Sequence, residues 1–301
     1  MGARMMHSDS HDHTTPSFVE PLSAGNMEEM TQQEFEYFSA LISQHVGIKL
    51  ENEKRSMLEM RLYKRLSTLQ LRSFRQYMQV LQQDDGSELG AFTNVVTTNK
   101  TSFFREQRHF NVLKHDILTQ PRTEKTFIWS AACSSGEEAF SLAMQCEAVK
   151  SEQPHFDYRI LATDVDTQRL DMCARAEYAD EQREDIPTLF QYQFIEREKR
   201  NGNTFTLAEQ LKRNIKFRQH NLIHYPEKFG IQFHYIFLRN VLFYFPPSTG
   251  EKVVRALVSQ LQPGGLFFVG LTESLQHMDV GLELVDVSVY RKPKSGRSVD
   301  E

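Results

Sequence analysis

Ile128-Trp-Ser-Ala-Ala-Cys-Ser-Ser-Gly-Glu-Glu138 is an apolar strand that runs into a series of small residues and ends on two carboxylates. Ala131, Ala132, Ser134, Ser135 and Gly136 let the backbone approach a ligand closely, as glycines do in a dinucleotide turn. The ending is not that of a phosphate site. Glu137 and Glu138 at a helix N-terminus complement the helix dipole but repel a pyrophosphate. A cationic or amine-bearing nucleoside fits better, S-adenosylmethionine being the common one. A tight strand-to-helix connection without a ligand would use the same residues.

Around this stretch the chain alternates strand and helix patterns. Phe127–Trp129, Ile160–Thr163, Ile215–Arg218, Tyr235–Leu238 and Leu266–Val269 are short apolar or β-branched runs separated by polar or helical stretches. Such alternation predicts a parallel sheet covered by helices on both faces. Pro263-Gly264-Gly265 reads as a turn into the fifth strand, and Leu282–Tyr290 as a closing strand pair. The interval from Ala176 to Arg213 is too long for a simple crossover. Asn201-Gly202-Asn203, between Phe194 and Thr204–Leu207, is a hairpin signal and predicts a small β-rich insertion.

Ligands of open α/β sheets bind at the carboxyl ends of the strands. Here those ends carry Gly136, Glu137 and Glu138, then Asp164, then Asn221-Leu222, then Arg239-Asn240 followed by Phe243-Tyr244-Phe245. Asp164 suits a ribose diol, and Asn221 with Leu222 suits the edge and face of an adenine. Singly, Asp164 reads as a helix cap, Asn221 as a turn residue and the aromatics as core. No phosphate loop, nucleophile elbow or zinc spacing competes with this reading. Methyl transfer needs none of them, since it depends on alignment and exclusion of water.

Before the sheet the chain is helical. Thr31-Gln-Gln-Glu34 is a capping box, and Phe35, Phe38, Leu41, Ile42 and Val46 follow at helical spacing before Gly47. A second helix from about Glu51 carries Leu58, Leu62 and Leu66, and a third starts at Ser73 with Phe74, Met78 and Leu81. From Lys54 to Arg75 there are seven basic residues against one acid, Glu59. In a chain of net charge -5, the stripe Lys54, Arg61 and Arg65 beside the leucines reads as a docking face for an acidic partner. The same stripe would serve as a plain solvated face.

The bulk numbers bound the rest. At 301 residues the chain is long enough for two domains, and the net charge argues against nucleic-acid binding. Cys133, Cys146 and Cys173 show no paired or metal-type spacing, which suits a reduced, cytoplasmic setting. No apolar run is long enough for membrane insertion. Residues 1–27 read as a disordered polar tail whose His7, His11 and His13 are not expected to hold a metal.

Five segments together resemble the chemotaxis receptor methyltransferases, the CheR family. They are Val96 to Glu106 (Val-Thr-Thr-Asn-Lys-Thr-Ser-Phe-Phe-Arg-Glu), Ser130 to Glu138, Ala162 to Asp166, Arg239 to Phe245 and Gly270 to Ser274. The resemblance covers residues 28–292, with the motifs in the family's order. It implies a helical N-terminal domain (28–95), a linker contributing to the cofactor site (96–126), and a Rossmann-like S-adenosylmethionine domain (127–292). A small antiparallel β-subdomain at about 180–213 would be inserted in the last, and a polar tail (293–301) would follow.

The implied reaction is methyl esterification of glutamate side chains on the cytoplasmic helices of chemoreceptors, leaving S-adenosylhomocysteine, by a monomeric enzyme. Matched position by position, Asn99, Thr101 and Arg105 would cover the cofactor. Gly136, Glu137 and Glu138 would take its amino group, Asp164 the ribose, and Asn221 and Leu222 the adenine. Arg239 and Asn240 would line the far side, and Arg105 and Tyr244 would stand at the reacting centre. A salt bridge to Glu106 or Glu137 is the structural alternative for Arg105. A silent S-adenosylmethionine-binding signalling module is the alternative function. Two positions depart from the family. Ala139 stands where many members have Pro, and the insertion offers only Gly202 where peptide-gripping members have a glycine-rich loop. Binding of a receptor's C-terminal peptide is therefore not expected.

Overall fold

The computed structural model describes residues 28–196, 203–224 and 229–294. The expectations for the tail 1–27, for Asn201 and Gly202 in the insertion turn, and for residues beyond 294 lie outside this range.

The five apolar runs form parallel strands: β1 (Thr126–Ser130), β2 (Tyr158–Asp164), β6 (Ile215–Gln219), β7 (Phe233–Leu238) and β8 (Leu261–Val269). The closing pair is β9 (Glu283–Asp286) and β10 (Val289–Arg291), antiparallel to each other, with β10 antiparallel to β8. The sheet order is β6-β2-β1-β7-β8-β10-β9, so the chain reverses direction across the sheet between β1 and β7. Side-chain alternation sorts each strand into two cores. Ile128, Ile160, Tyr235, Phe237 and Phe268 pack on one face with α5 (Arg108–Thr119) and α6 (Glu137–Glu152). Trp129, Leu161, Ile236 and Phe267 pack on the other with α10 (Pro247–Ser259). Trp129 is fully buried, and its indole Nε1 donates to Thr163 Oγ1 at 2.9 Å. This is the expected Rossmann-like α/β architecture.

Pro263-Gly264-Gly265 proves to be a kink inside β8 rather than a turn before it. Gly264 has φ +82°, and the pairing register shifts between Phe233 and Tyr235 on β7. A Cβ on Gly265 would lie 2.8 Å from the His234 carbonyl oxygen, so the strands can close there only on a glycine.

Helices α1 (Gln32–Val46), α2 (Arg55–Thr68), α3 (Phe74–Gln83) and α4 (Ser87–Val96) form a separate core around Phe38, Leu62, Phe74 and Phe92. The Thr31–Glu34 capping box is present, and Gly47 ends α1 at φ +77°. A Cβ on Gly47 would lie 2.5 Å from Ile223 Cγ2, so the end of α1 presses directly on the loop after β6. Lys49 N–H donates to the Tyr244 carbonyl at 3.0 Å, a second tie between this unit and the sheet. After β2, α7 (Thr167–Arg175) leads to a small antiparallel sheet, ordered β3-β5-β4. It comprises β3 (Glu177–Ala179), β4 (Ile195–Glu196) and β5 (Thr204–Leu207), with α8 (Thr188–Phe194) before β4 and α9 (Glu209–Lys212) after β5.

The basic stripe on α2 requires a correction. Arg65 pairs twice with Glu88 of α4, with Nε 2.8 Å from Oε1 and Nη2 on Oε2. Tyr77, fully buried, donates to the same Glu88 Oε1 at 2.6 Å. Arg61 donates to the carbonyls of Val96 (2.5 Å) and Thr97 (3.0 Å) and to Thr98 Oγ1 (2.9 Å). Both guanidiniums therefore hold the protein's own segments together and are not a loose rim. Lys54 alone of the three is exposed. Removing one partner from such a pair strands the other charge. Glu88→Ala should thus lower stability by about 3 kcal/mol, read as the loss of unfolding free energy in urea. A change indistinguishable from zero would show that Arg65 is fully hydrated in the native state.

Candidate active site

The carboxyl ends of β1, β2, β6 and β7 face residues 97–105, which run over them, and a cavity lies between. Asn99, Thr101, Arg105, Glu138, Asp164, Asn221, Leu222, Arg239, Asn240 and Tyr244 all line it. So do Val46 and Ile48 from the end of α1, which the sequence reading did not include. Gly136 and Glu137 do not line it; they build the turn underneath. Ser134 (φ +49°) and Gly136 (φ +98°) are both left-handed, and a Cβ on Gly136 would meet Cys173 Sγ at 2.9 Å and Tyr178 Oη at 3.0 Å. The Glu137 carboxyl is buried, accepting from Ser135 Oγ at 2.8 and 3.0 Å and from Gln182 Nε2 at 2.9 Å. Burial pushes its pKa up. Of the two glutamates, only Glu138 is placed to meet a ligand.

Asp164 ends β2 and is 8% exposed as a residue. Oδ2 accepts from Ser134 N–H at 2.7 Å and Oδ1 from Asp166 N–H at 2.9 Å. Burial raises its pKa, partly offset by these amides. Each oxygen retains a lone pair for one hydroxyl of a diol. Asp166, two residues on, caps α7 through Arg169 N–H (3.1 Å) and takes Thr97 Oγ1 (3.0 Å) and Asn99 Nδ2 (2.8 Å). It therefore pins the start of the covering segment, a role that sequence reading missed although the residue stood in a quoted motif. Asn221 is likewise partly committed, donating from Nδ2 to the His45 carbonyl at 2.6 Å.

The far wall is one charge network. Arg239, 2% exposed at its side chain, donates Nη1 to Glu138 Oε2 at 2.9 Å, and Nε and Nη2 to Glu106 Oε2 at 3.3 and 3.1 Å. Its Nη2 also meets the Arg105 carbonyl, and its guanidinium lies over the Phe110 ring at 5.6 Å. Glu138 Oε1 takes Ser130 Oγ at 2.7 Å. Glu106 Oε1 takes Leu271 N–H at 3.1 Å and Asn240 Nδ2 at 3.3 Å. Burial raises the Glu106 pKa, but Arg239 and these donors outweigh it and the net shift is downward. Glu106 thus pairs with Arg239, not with Arg105, whose Nη1 donates to the Lys100 carbonyl at 2.9 Å. Glu273 supports the same wall, accepting from the amides of Gly270 (2.7 Å), Asn240 (2.8 Å) and Leu242 (2.7 Å).

The cavity thus sets two carboxylates, Asp164 and Glu138, in one space with the apolar side chains of Val46, Ile48, Leu222 and Val241. Residues 33–97 match the all-alpha domain of CheR methyltransferases, and residues 99–291 match their SAM binding domain. The chain belongs to the CheR methyltransferase family. It is 34% identical to chemotaxis protein methyltransferase 2 of Pseudomonas aeruginosa, over 92% of this chain and 98% of that one. It is 32% identical to the chemotaxis protein methyltransferase of Escherichia coli, over 88% and 92% respectively. As a CheR protein it is an S-adenosylmethionine-dependent methyltransferase. Among the described residues no helix is long and apolar enough to cross a membrane, and no cluster of side chains could hold a metal.

Two outcomes follow from the site. Asp164→Ala should weaken S-adenosylmethionine binding by about 1–3 kcal/mol, the range for hydrogen bonds to a charged group. Calorimetry on the folded variant checks this, and unchanged affinity would remove Asp164 from the site. His109 behind the wall is fully buried, with neither ring nitrogen hydrogen-bonded and Nδ1 3.4 Å from Glu106 Oε2. Burial, then the Arg239 charge, hold its pKa down at about 4 from 6.5. As pH falls through that interval the unfolded chain binds a proton that the native state refuses, so stability declines with falling pH. His109→Phe should lose less stability than the wild type between pH 7 and about pH 5, measured by urea unfolding.

Proposed function

We propose that this CheR protein methylates glutamate side-chain carboxylates on the cytoplasmic helices of chemoreceptors, forming glutamyl methyl esters and S-adenosylhomocysteine. The observation that supports this most is that Arg105 and Tyr244 share the cavity with Asp164 and Glu138. A guanidinium and an aromatic hydroxyl thus stand in the same space as the cofactor-type carboxylates. The names of the Pseudomonas and Escherichia relatives agree with a chemotaxis substrate.

When bound, S-adenosylmethionine supplies a methyl group on a sulfonium, a leaving group that needs no protonation. An acceptor glutamate is already ionised near neutral pH, with an ordinary pKa of about 4.3, so no residue here has to remove a proton. Arg105 orients the acceptor carboxylate, since a guanidinium presents a planar pair of donors. Its existing bond to the Lys100 carbonyl takes up part of that capacity. This leaves a looser contact that does not quench the nucleophile. Tyr244 sits on a short helical turn whose backbone is held by Lys49, and it closes the cavity against water.

With labelled cofactor and receptor-bearing membranes, the product should release methanol in mild base, as carboxyl esters do and methylated amines do not. Arg105→Ala and Tyr244→Phe should each cut turnover by about 10-fold or more, a larger loss than in cofactor affinity. Full methylation rates in both variants would assign these residues to the fold alone.

A further inference from the structure

We propose that Glu106 is the positioning residue for Arg105, clamping the covering segment 97–106 to the ends of β7 and β8 so that the Arg105 guanidinium is aimed at the acceptor carboxylate. This deepens the glutamate-methylation reading and rests on it. Glu106 joins three segments at one carboxylate: Arg239 and Asn240 after β7, Leu271 after β8, and its own covering segment. Every oxygen faces donors, and the side chain is 12% exposed. Charge-assisted bonds of this kind hold geometry better than neutral ones.

The backbone explains why a clamp is needed. Phe104 (φ +50°) and Glu106 (φ +59°) are both left-handed, with Arg105 between them. Non-glycine residues hold such angles only where surrounding contacts over-determine them. Phe104 is fixed by its ring in the core and by its N–H on Ser141 Oγ at 3.0 Å. On the other side, Glu106 and the Arg239 contact to the Arg105 carbonyl do the fixing. Arg105 is thereby held at both neighbours, while its own side chain lines the cavity and, among the described residues, bonds only the nearby Lys100 carbonyl. The direction of the guanidinium is set by the turn, and Glu106 sets the turn.

Glu106→Gln keeps the shape but turns one acceptor into an NH2 group facing either Arg239 or the Leu271 and Asn240 donors. Receptor methylation should fall about 10-fold in kcat, no further than in Arg105→Ala, as small misplacements of a positioned group do. Affinity for S-adenosylhomocysteine, by calorimetry, should stay within about threefold, because Asp164 and Glu138 remain. In an Arg105→Ala background the same substitution should cost less than about threefold further, since a residue acting through Arg105 has nothing left to act through. Multiplicative losses, or affinity falling in step with kcat, would overturn the proposal.

A second readout does not depend on turnover. With S-adenosylhomocysteine bound, trypsin should cut after Lys100 faster in Glu106→Gln than in the wild type, and equal rates would refute the clamp. If Glu106→Gln fails to fold, Glu106→Asp takes its place. It keeps the charge opposite Arg239 but is one methylene too short to reach all donors, so it should show the same split between kcat and affinity. A wild type that releases no methanol, yet shows the protease difference, would sink the glutamate reading and leave the clamp standing.

Discussion

The buried guanidinium of Arg239 is the constraint on which the site depends. It lies at the end of β7, beside the point where the sheet reverses direction, and is flanked by Glu138 from the first turn of α6 and Glu106 from the covering segment. A charge so deeply desolvated is tolerable only with partners on every side. Those partners come from parts of the chain that are far apart in sequence, with separations of 101 and 133 residues. Satisfying one buried cation therefore dictates where the cofactor turn and the covering segment must sit. The two carboxylates outnumber the cation, so the wall keeps a net negative character, which suits a ligand that brings an ammonium and a sulfonium.

A parallel device operates on the opposite side of the cavity. Asp166 caps α7 and at the same time holds Thr97 and Asn99. Residues 97–106 are thus anchored at one end by an aspartate of the β2 side and at the other by a glutamate gripping β7 and β8. Between these anchors lie three of the residues that line the cavity, Asn99, Thr101 and Arg105. The helical unit adds its own part through Val46, Ile48 and the contact from Lys49 to Tyr244. The cavity is in this way assembled from both halves of the molecule.

Much of this was legible in the sequence, for identifiable reasons. Parallel strands buried on both faces must be continuously apolar, and their ends must be polar if they bind a nucleoside, so β1, β2, β6, β7 and β8 and the line from Glu138 to Asn240 stood out. Pairings between distant residues were not legible. Glu106 reads naturally as a neighbour of Arg105, yet it faces Arg239, and no local pattern encodes that choice. Arg61 and Arg65 look like an open docking face because helical spacing reports which side they share, not whether α4 or the covering segment approaches that side. Tyr77, three residues after Phe74, fits the helical spacing of α3, but nothing local shows that the Glu88 carboxylate waits in the core for its hydroxyl. Glu137 and Glu138 are alike in sequence, and only the left-handed turn at Ser134 and Gly136 decides that one points under the turn and the other into the cavity.

Trp129 is the sole tryptophan in the chain, and it is the next-to-last residue of β1, fully buried against Phe229 and Phe233 and close to the turn at the edge of the cavity. The helical unit has Tyr37, Tyr63 and Tyr77 but no indole. Emission excited at the red edge of protein absorbance therefore comes from the sheet alone, blue-shifted by its dry surroundings. Melting of the four-helix unit is optically quiet at that wavelength, while opening of β1 is not. The placement of one ring makes the two halves of this molecule spectroscopically separable without any label.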